Sequence, residues 1–181
     1  MRRRRSIDIT TLASLFLAIL FLAGNALAKD KPQAKRRPST AEERSAAAKA
    51  ARELENDPLG PKAGARTKVA KVVLEAPDIQ VKICANMLVS FANEKSPRHS
   101  LLLMQIFFST MAFMIENPDR AGDDQAGYMA GIFGALKAYR TIHSVEPKSR
   151  SEYFDKLLEL KKPGELEDHL QKESAACVPQ P

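Results

Sequence analysis

The side chains best equipped for chemistry are few: three histidines, two cysteines and a run of acids around residue 120. His99, His143 and His169 stand far apart, and none falls into the His-Glu-x-x-His or paired-cysteine spacing that presents several ligands to one metal. The nearest acid–imidazole pairs are Asp168 beside His169, and His143 with Glu146. Both pairs read as surface or half-buried polar groups, the first because adjacent helix residues point in different directions. Glu116, Asp119, Asp123 and Asp124 crowd one loop and would suit Ca²⁺ only weakly, because the ordered oxygen ligands of an EF-hand are missing. A solvated acidic turn is the better reading. No Gly-x-Ser-x-Gly turn marks a serine nucleophile. The sequence therefore points to no catalytic, metal or cofactor site, and a noncatalytic protein is expected. Carboxylates gathered from separate helices would leave no trace in the sequence.

Cys84 and Cys177 are an even pair, and in an oxidising compartment such a pair reads as a disulfide. Closing so long a loop would restrict the unfolded chain by about 4 to 5 kcal/mol in the loop-entropy account. The premise of export comes from residues 1–28, which read as a signal peptide. Arg2, Arg3, Arg4 and Arg5 form a cationic head, residues 12–23 are apolar and uncharged, and Ala26 and Ala28 frame a small-x-small cleavage site before Lys29. The mature chain is expected to begin at Lys29 and to be periplasmic or secreted. Residues 9–28 approach the roughly 20 residues that a bilayer requires, so a retained inner-membrane anchor is the alternative. Gly24 and Asn25 suit a cleavage region better than the far end of a span.

The net charge of +6 is unevenly placed. Residues 29–71 hold 12 basic and 6 acidic side chains, whereas residues 72–181 hold 12 basic and 15 acidic ones. The basic stretch contains no aromatic residue for stacking bases, which argues against nucleic acid. Contact with anionic lipid or an acidic envelope polymer fits it better, and a solvated linker fits it best. Residues 29–66 are rich in Lys, Ala and Pro and poor in large apolar groups, so they read as a linker unable to offset its ordering entropy. One short helix over 39–55 is expected within it, started by a capping-box spacing of Ser39 and Glu42. Leu54 is its one large apolar residue, leaving it little to dock with.

Residues 67–177 should form a single all-α domain of about five or six helices, with residues 178–181 as a tail. Val69, Val72 and Val73 share a face over 68–76. Asp78 is placed to cap a helix whose stripe is Ile79, Ile83, Cys84, Met87, Leu88 and Phe91. Ser96 and Pro97 open a central helix with an almost wholly apolar run at 101–115, too short for a comfortable span. Ser149 or Ser151 restarts the chain after Pro147 into a helix whose apolar side is Tyr153, Phe154, Leu157, Leu158 and Leu160, and a last helix over 165–176 carries Leu166, His169 and Leu170. In the helix over 125–142, Gly127, Gly131 and Gly134 each cost about 1 kcal/mol relative to alanine. Their spacing predicts a face that a neighbouring helix approaches closely.

The segment Tyr128, Met129, Ala130 and Gly131, followed by Ile132, Leu136 and a last helix ending at Cys177, resembles the Rap1a/Tai group of small exported bacterial proteins. The resemblance spans residues 127–177. It implies a helical, disulfide-containing periplasmic protein, in some members an immunity protein that blocks a toxin delivered by a type VI secretion system. Members tend to have two disulfides and often an Asp where this chain has Gly134.

These observations lead to an exported noncatalytic protein that binds another protein in the bacterial envelope, as inhibitor, immunity factor or accessory subunit. The alternatives are an envelope hydrolase using carboxylates from separate helices, and an anchored envelope protein with an uncleaved N-terminal helix.

Overall fold

In a computed structural model of the chain, residues 37–60, 63–160 and 162–177 are described. The signal-peptide reading, including Ala26 and Ala28, lies outside them. The described residues form an all-α array without a strand. Its elements are α1 (Ala41–Asn56), α2 (Ala63–Glu75), α3 (Ala85–Ala92), α4 (His99–Glu116), a 3-10 turn (Pro118–Arg120), α5 (Asp124–Val145), α6 (Glu152–Glu159) and α7 (Glu165–Ala175).

α4 and α5 form the central hairpin, and each end of it has a polar clasp. The turn between them is held by the Asp123 carboxylate, which accepts from Ala126 N at 2.9 Å and so caps α5. At the open end Arg98 forks onto Glu146, with bonds of 2.7 and 2.5 Å. The Arg98 hydrogen bond holds the Glu146 carboxyl below its ordinary range.

α4 reaches two apolar clusters. Leu102 and Ile106 join Phe91, Ile132, Tyr139, Phe154 and Leu170 on one side, while Phe108, Met111 and Ala112 join the alanines of α1 and Val69 of α2 on the other. By length and hydropathy α4 could cross a membrane. Its buried face nevertheless includes Gln105, Ser109 and Thr110, polar side chains that each find a protein partner.

The structure corrects the linker reading of residues 29–66 where it describes them. α1 is not a free helix: Ala47, Ala48, Ala50, Ala51 and Leu54 are buried against its neighbours. Alanines bury little area singly, but a face of them lets two helix backbones come close and gain many short contacts. The capping box also lies one residue later than Ser39 and Glu42. Thr40 Oγ1 accepts from Glu43 N at 3.2 Å, and Glu43 Oε2 accepts from Thr40 N at 2.9 Å.

Ser39 is engaged elsewhere, and its partner explains a second departure. Asp78 begins no helix. Its carboxylate accepts from Ser39 N at 2.9 Å, from Ser39 Oγ at 2.8 Å and from Arg44 at 2.9 Å, and those bonds hold it below its ordinary pKa. The segment from Asp78 to Cys84 stays irregular, and α3 starts only at Ala85. Ile79 and Cys84 still turn inward. α2 starts earlier than residue 68 and takes Gly64 into its first turn.

Ser151 caps α6, its hydroxyl accepting from Phe154 N at 3.3 Å. Gly164, with φ of 80°, makes the left-handed step into α7 that other residues would resist. α7 is fastened at its far end by a disulfide between Cys177 and Cys84, whose Cα atoms are 5.5 Å apart.

Candidate functional site

Two places concentrate buried polar groups. The first is the seam where α1, α4 and α5 meet, and α5 turns its glycines toward it. A Cβ on Gly131 would collide with Thr110 Oγ1 and lie 2.9 Å from the backbone oxygen of Ile106. One on Gly134 would collide with Ser109 and lie 2.6 Å from Glu55 Oε1, whereas Gly127 would meet Thr110 Cγ2 at an ordinary 3.5 Å. The room left by the missing side chains is filled with hydrogen bonds. Ser109 Oγ donates to Glu55 Oε1 at 2.8 Å, Gln105 Nε2 donates to Ala51 O at 3.2 Å, and Thr110 Oγ1 donates to Gly127 O at 3.1 Å. Glu55 is only 4% exposed. Arg52 bonds it from the same helix and also grips Glu116 at 2.7 Å. A buried carboxylate is tolerated only with such partners.

The second place is a cavity of about 480 Å³ bounded by α6, α7 and the turn after α3. Tyr153, 6% exposed, forms its floor. Glu94 arrives from the turn, and its Oε1 accepts from Tyr153 N at 2.6 Å. His169 and Glu173 arrive from α7, with His169 Nε2 3.4 Å from Glu173 Oε1. Tyr153 Oη, Glu94 Oε2 and Glu173 Oε2 are all buried and have no hydrogen-bond partner among the described residues. Leaving such an atom unmatched costs about 1–3 kcal/mol each, so three in one cavity call for an explanation. Burial drives the Tyr153 phenol far above its ordinary pKa, with Glu173 and Glu94 adding to the effect. It is therefore a neutral hydroxyl.

A related but closed network lies behind Tyr153. Tyr139 Oη donates to Asp155 Oδ1 at 2.6 Å and accepts from Ser151 N at 3.1 Å. Its pKa is pushed up to about 12, by burial first and the Asp155 bond second. For Asp155, burial works upward, but the hydrogen bonds from Tyr139 and Arg150 outweigh it and hold the carboxyl below its ordinary range.

The acids of the loop near residue 120 do not converge on one point. Glu116 pairs with Arg52, Asp123 with Arg120, and Asp124 with Lys82. His143 stacks on Tyr139 rather than pairing with Glu146, and His169 turns to Glu173 rather than Asp168. Sequence reasoning missed Glu94 and Glu173 altogether, and it read Tyr153 as one member of an apolar stripe. The available signal was the hydroxyl on that stripe, which needs a partner when buried. Compared with protein-family models, curated proteins and solved structures, the chain matches none.

Proposed function

We infer that the chain is an exported, noncatalytic helical protein that binds another protein in the bacterial envelope, in an inhibitory, immunity or accessory role. The observation that carries this reading is the cavity, where three buried oxygens lack donors and a neutral phenol stands among carboxylates. Such a set recognises a donor-bearing group. The Cys84–Cys177 disulfide supports an oxidising location, periplasmic or secreted, and the resemblance to the Rap1a/Tai group points the same way. No cofactor enters this reading.

The test is to express the tagged full chain in its host and combine fractionation, intact mass and native mass spectrometry. The expected result is a soluble chain beginning at Lys29, oxidised at its cysteine pair and held in a stoichiometric complex with one protein. A chain intact from Met1 that pellets with washed membranes and carries no partner would overturn it in favour of the anchored protein.

One observation favours a second reading, the envelope hydrolase. Glu94, Glu152 and Glu173 come from three separate elements to one cavity, as acid–base chemistry on separate helices would require. It predicts that Glu173→Gln abolishes turnover of an envelope polymer while helical circular dichroism is unchanged.

A further inference from the structure

We propose that the cavity over Tyr153 is a receptor for an alkylammonium group, either the side chain of a lysine or a free amine. This rests on the binding-protein reading and adds the chemistry that its partner would present.

The charge of the walls selects a cation. Glu94, Glu152, Glu159 and Glu173 line the cavity against Lys156 and His169, the imidazole lying against Glu173 Oε1 and leaving Oε2 open. The described residues bring no group of three metal-ligating side chains together, so the cation that fits is one bound by hydrogen bonds. The open valences match an ammonium. It has three donors and no acceptor, and the residues that line the cavity carry three unpartnered oxygens, closed to water in the unliganded chain: two carboxylate oxygens that supply charge and one phenolic oxygen that supplies none. Charge-assisted bonds of this kind are the strong ones.

The rest of the surface suits what carries the ammonium. Leu157 and Leu160 line the same cavity, giving methylene groups an apolar wall while the charged head reaches the oxygens, which is how a lysine stem is commonly accommodated. Tyr153 belongs to both parts, its ring buried against Phe91 and Phe154 at centroid distances of 5.9 and 5.2 Å. A floor fixed in this way holds Oη in place before any ligand arrives, which lowers the ordering cost of binding.

The experiment is an NMR titration of the oxidised full chain with Nα-acetyl-lysine methylamide, 1,5-diaminopentane and, as the uncharged analogue that ends at Cε, Nα-acetyl-norleucine methylamide. The Tyr153 amide, bonded to Glu94, is the reporter. The expected result is saturable shifts at Glu94, Tyr153 and Glu173 with an amine, none with the norleucine compound, and about tenfold or greater weakening in Glu173→Gln. Among the described residues the ion-pair partner of the Glu173 side chain is His169, one turn away on the same helix, and an unchanged melting temperature verifies that the variant folds. Binding by the lysine derivative assigns the ammonium to a protein side chain. Binding by the diamine alone keeps the ammonium site and shifts its source to a free amine, which would count against the protein-binding reading. No saturable shift with either amine, or affinity unchanged in Glu173→Gln, overturns the proposal. A stoichiometric protein complex that survives Glu173→Gln would leave the binding-protein reading standing without it.

Discussion

The glycine seam and the Tyr153 cavity both bury polar side chains, but they resolve the cost in opposite ways. At the seam every named buried polar group is matched: Glu55 by Ser109 and Arg52, Gln105 by the Ala51 carbonyl, Thr110 by the Gly127 carbonyl. In the cavity Glu94, Tyr153 and Glu173 each leave an oxygen unmatched. The first arrangement specifies how three helices fit together. The second retains capacity for a group from outside, and a satisfied network lacks that capacity however polar it is.

Four experiments would break or sharpen this contrast. Cys177→Ser should have the largest effect, about 2–5 kcal/mol of stability in denaturant unfolding. It should also loosen α7 before α4 and α5 in hydrogen exchange, because α7 carries the bond. Equal loss of protection at the seam and the cavity would show that the two regions form one cooperative unit. Gly131→Leu comes next, at about 1–3 kcal/mol, since the Ile106 carbonyl facing the new Cβ belongs to a helix backbone and cannot rotate away. A variant melting no lower than the parent would show that α4 and α5 can separate freely.

The third experiment pairs one change from each region. Ser109→Ala removes the hydroxyl that satisfies Glu55 and should cost about 1–2 kcal/mol, whereas Tyr153→Phe removes an oxygen with no partner and should leave the melting temperature level or raise it. If both were equally destabilising, the distinction between matched and unmatched groups would be wrong. The smallest effect concerns pH. The Asp155 carboxyl is held below its unfolded value of about 3.9, so its contribution is complete above that pH and is lost as pH falls through the lower folded value. Asp155→Asn should therefore be less stable than the parent near neutrality and should close that gap on acidification below about pH 4. A gap independent of pH would assign the role of Asp155 to geometry and not to charge.

The helical class was legible because α4, α5 and α6 carry their own instructions: long apolar runs, breaking prolines and a serine at the start of α6. The pairing of Cys84 with Cys177 was legible from parity together with the expectation of export. α1 was legible as a short helix but its docking was not, because that depends on alanines whose individual hydrophobicity is too small to register; only the approach of α4 makes them a core face. The irregular segment from Asp78 to Cys84 was misread for a related reason. Its apolar spacing suits a helix, but Asp78 is drawn to Ser39 and Arg44, a tertiary contact with no local signature. The cavity was the least legible feature, because its acids come from the turn after α3, from α6 and from α7, and nothing within any one of these segments marks them.

The disulfide spans 93 residues, and the cavity wall that it fastens is contributed by the final helix. Ribosomes deliver this chain in order, so Glu94 and Tyr153 emerge well before Glu173 does. The hairpin of α4 and α5 precedes Glu173 in the chain, so nothing can be clasped between Glu94 and Glu173 until α7 has docked. A chain stopped before α7 would thus carry most of the scaffold but lack one wall of the proposed site.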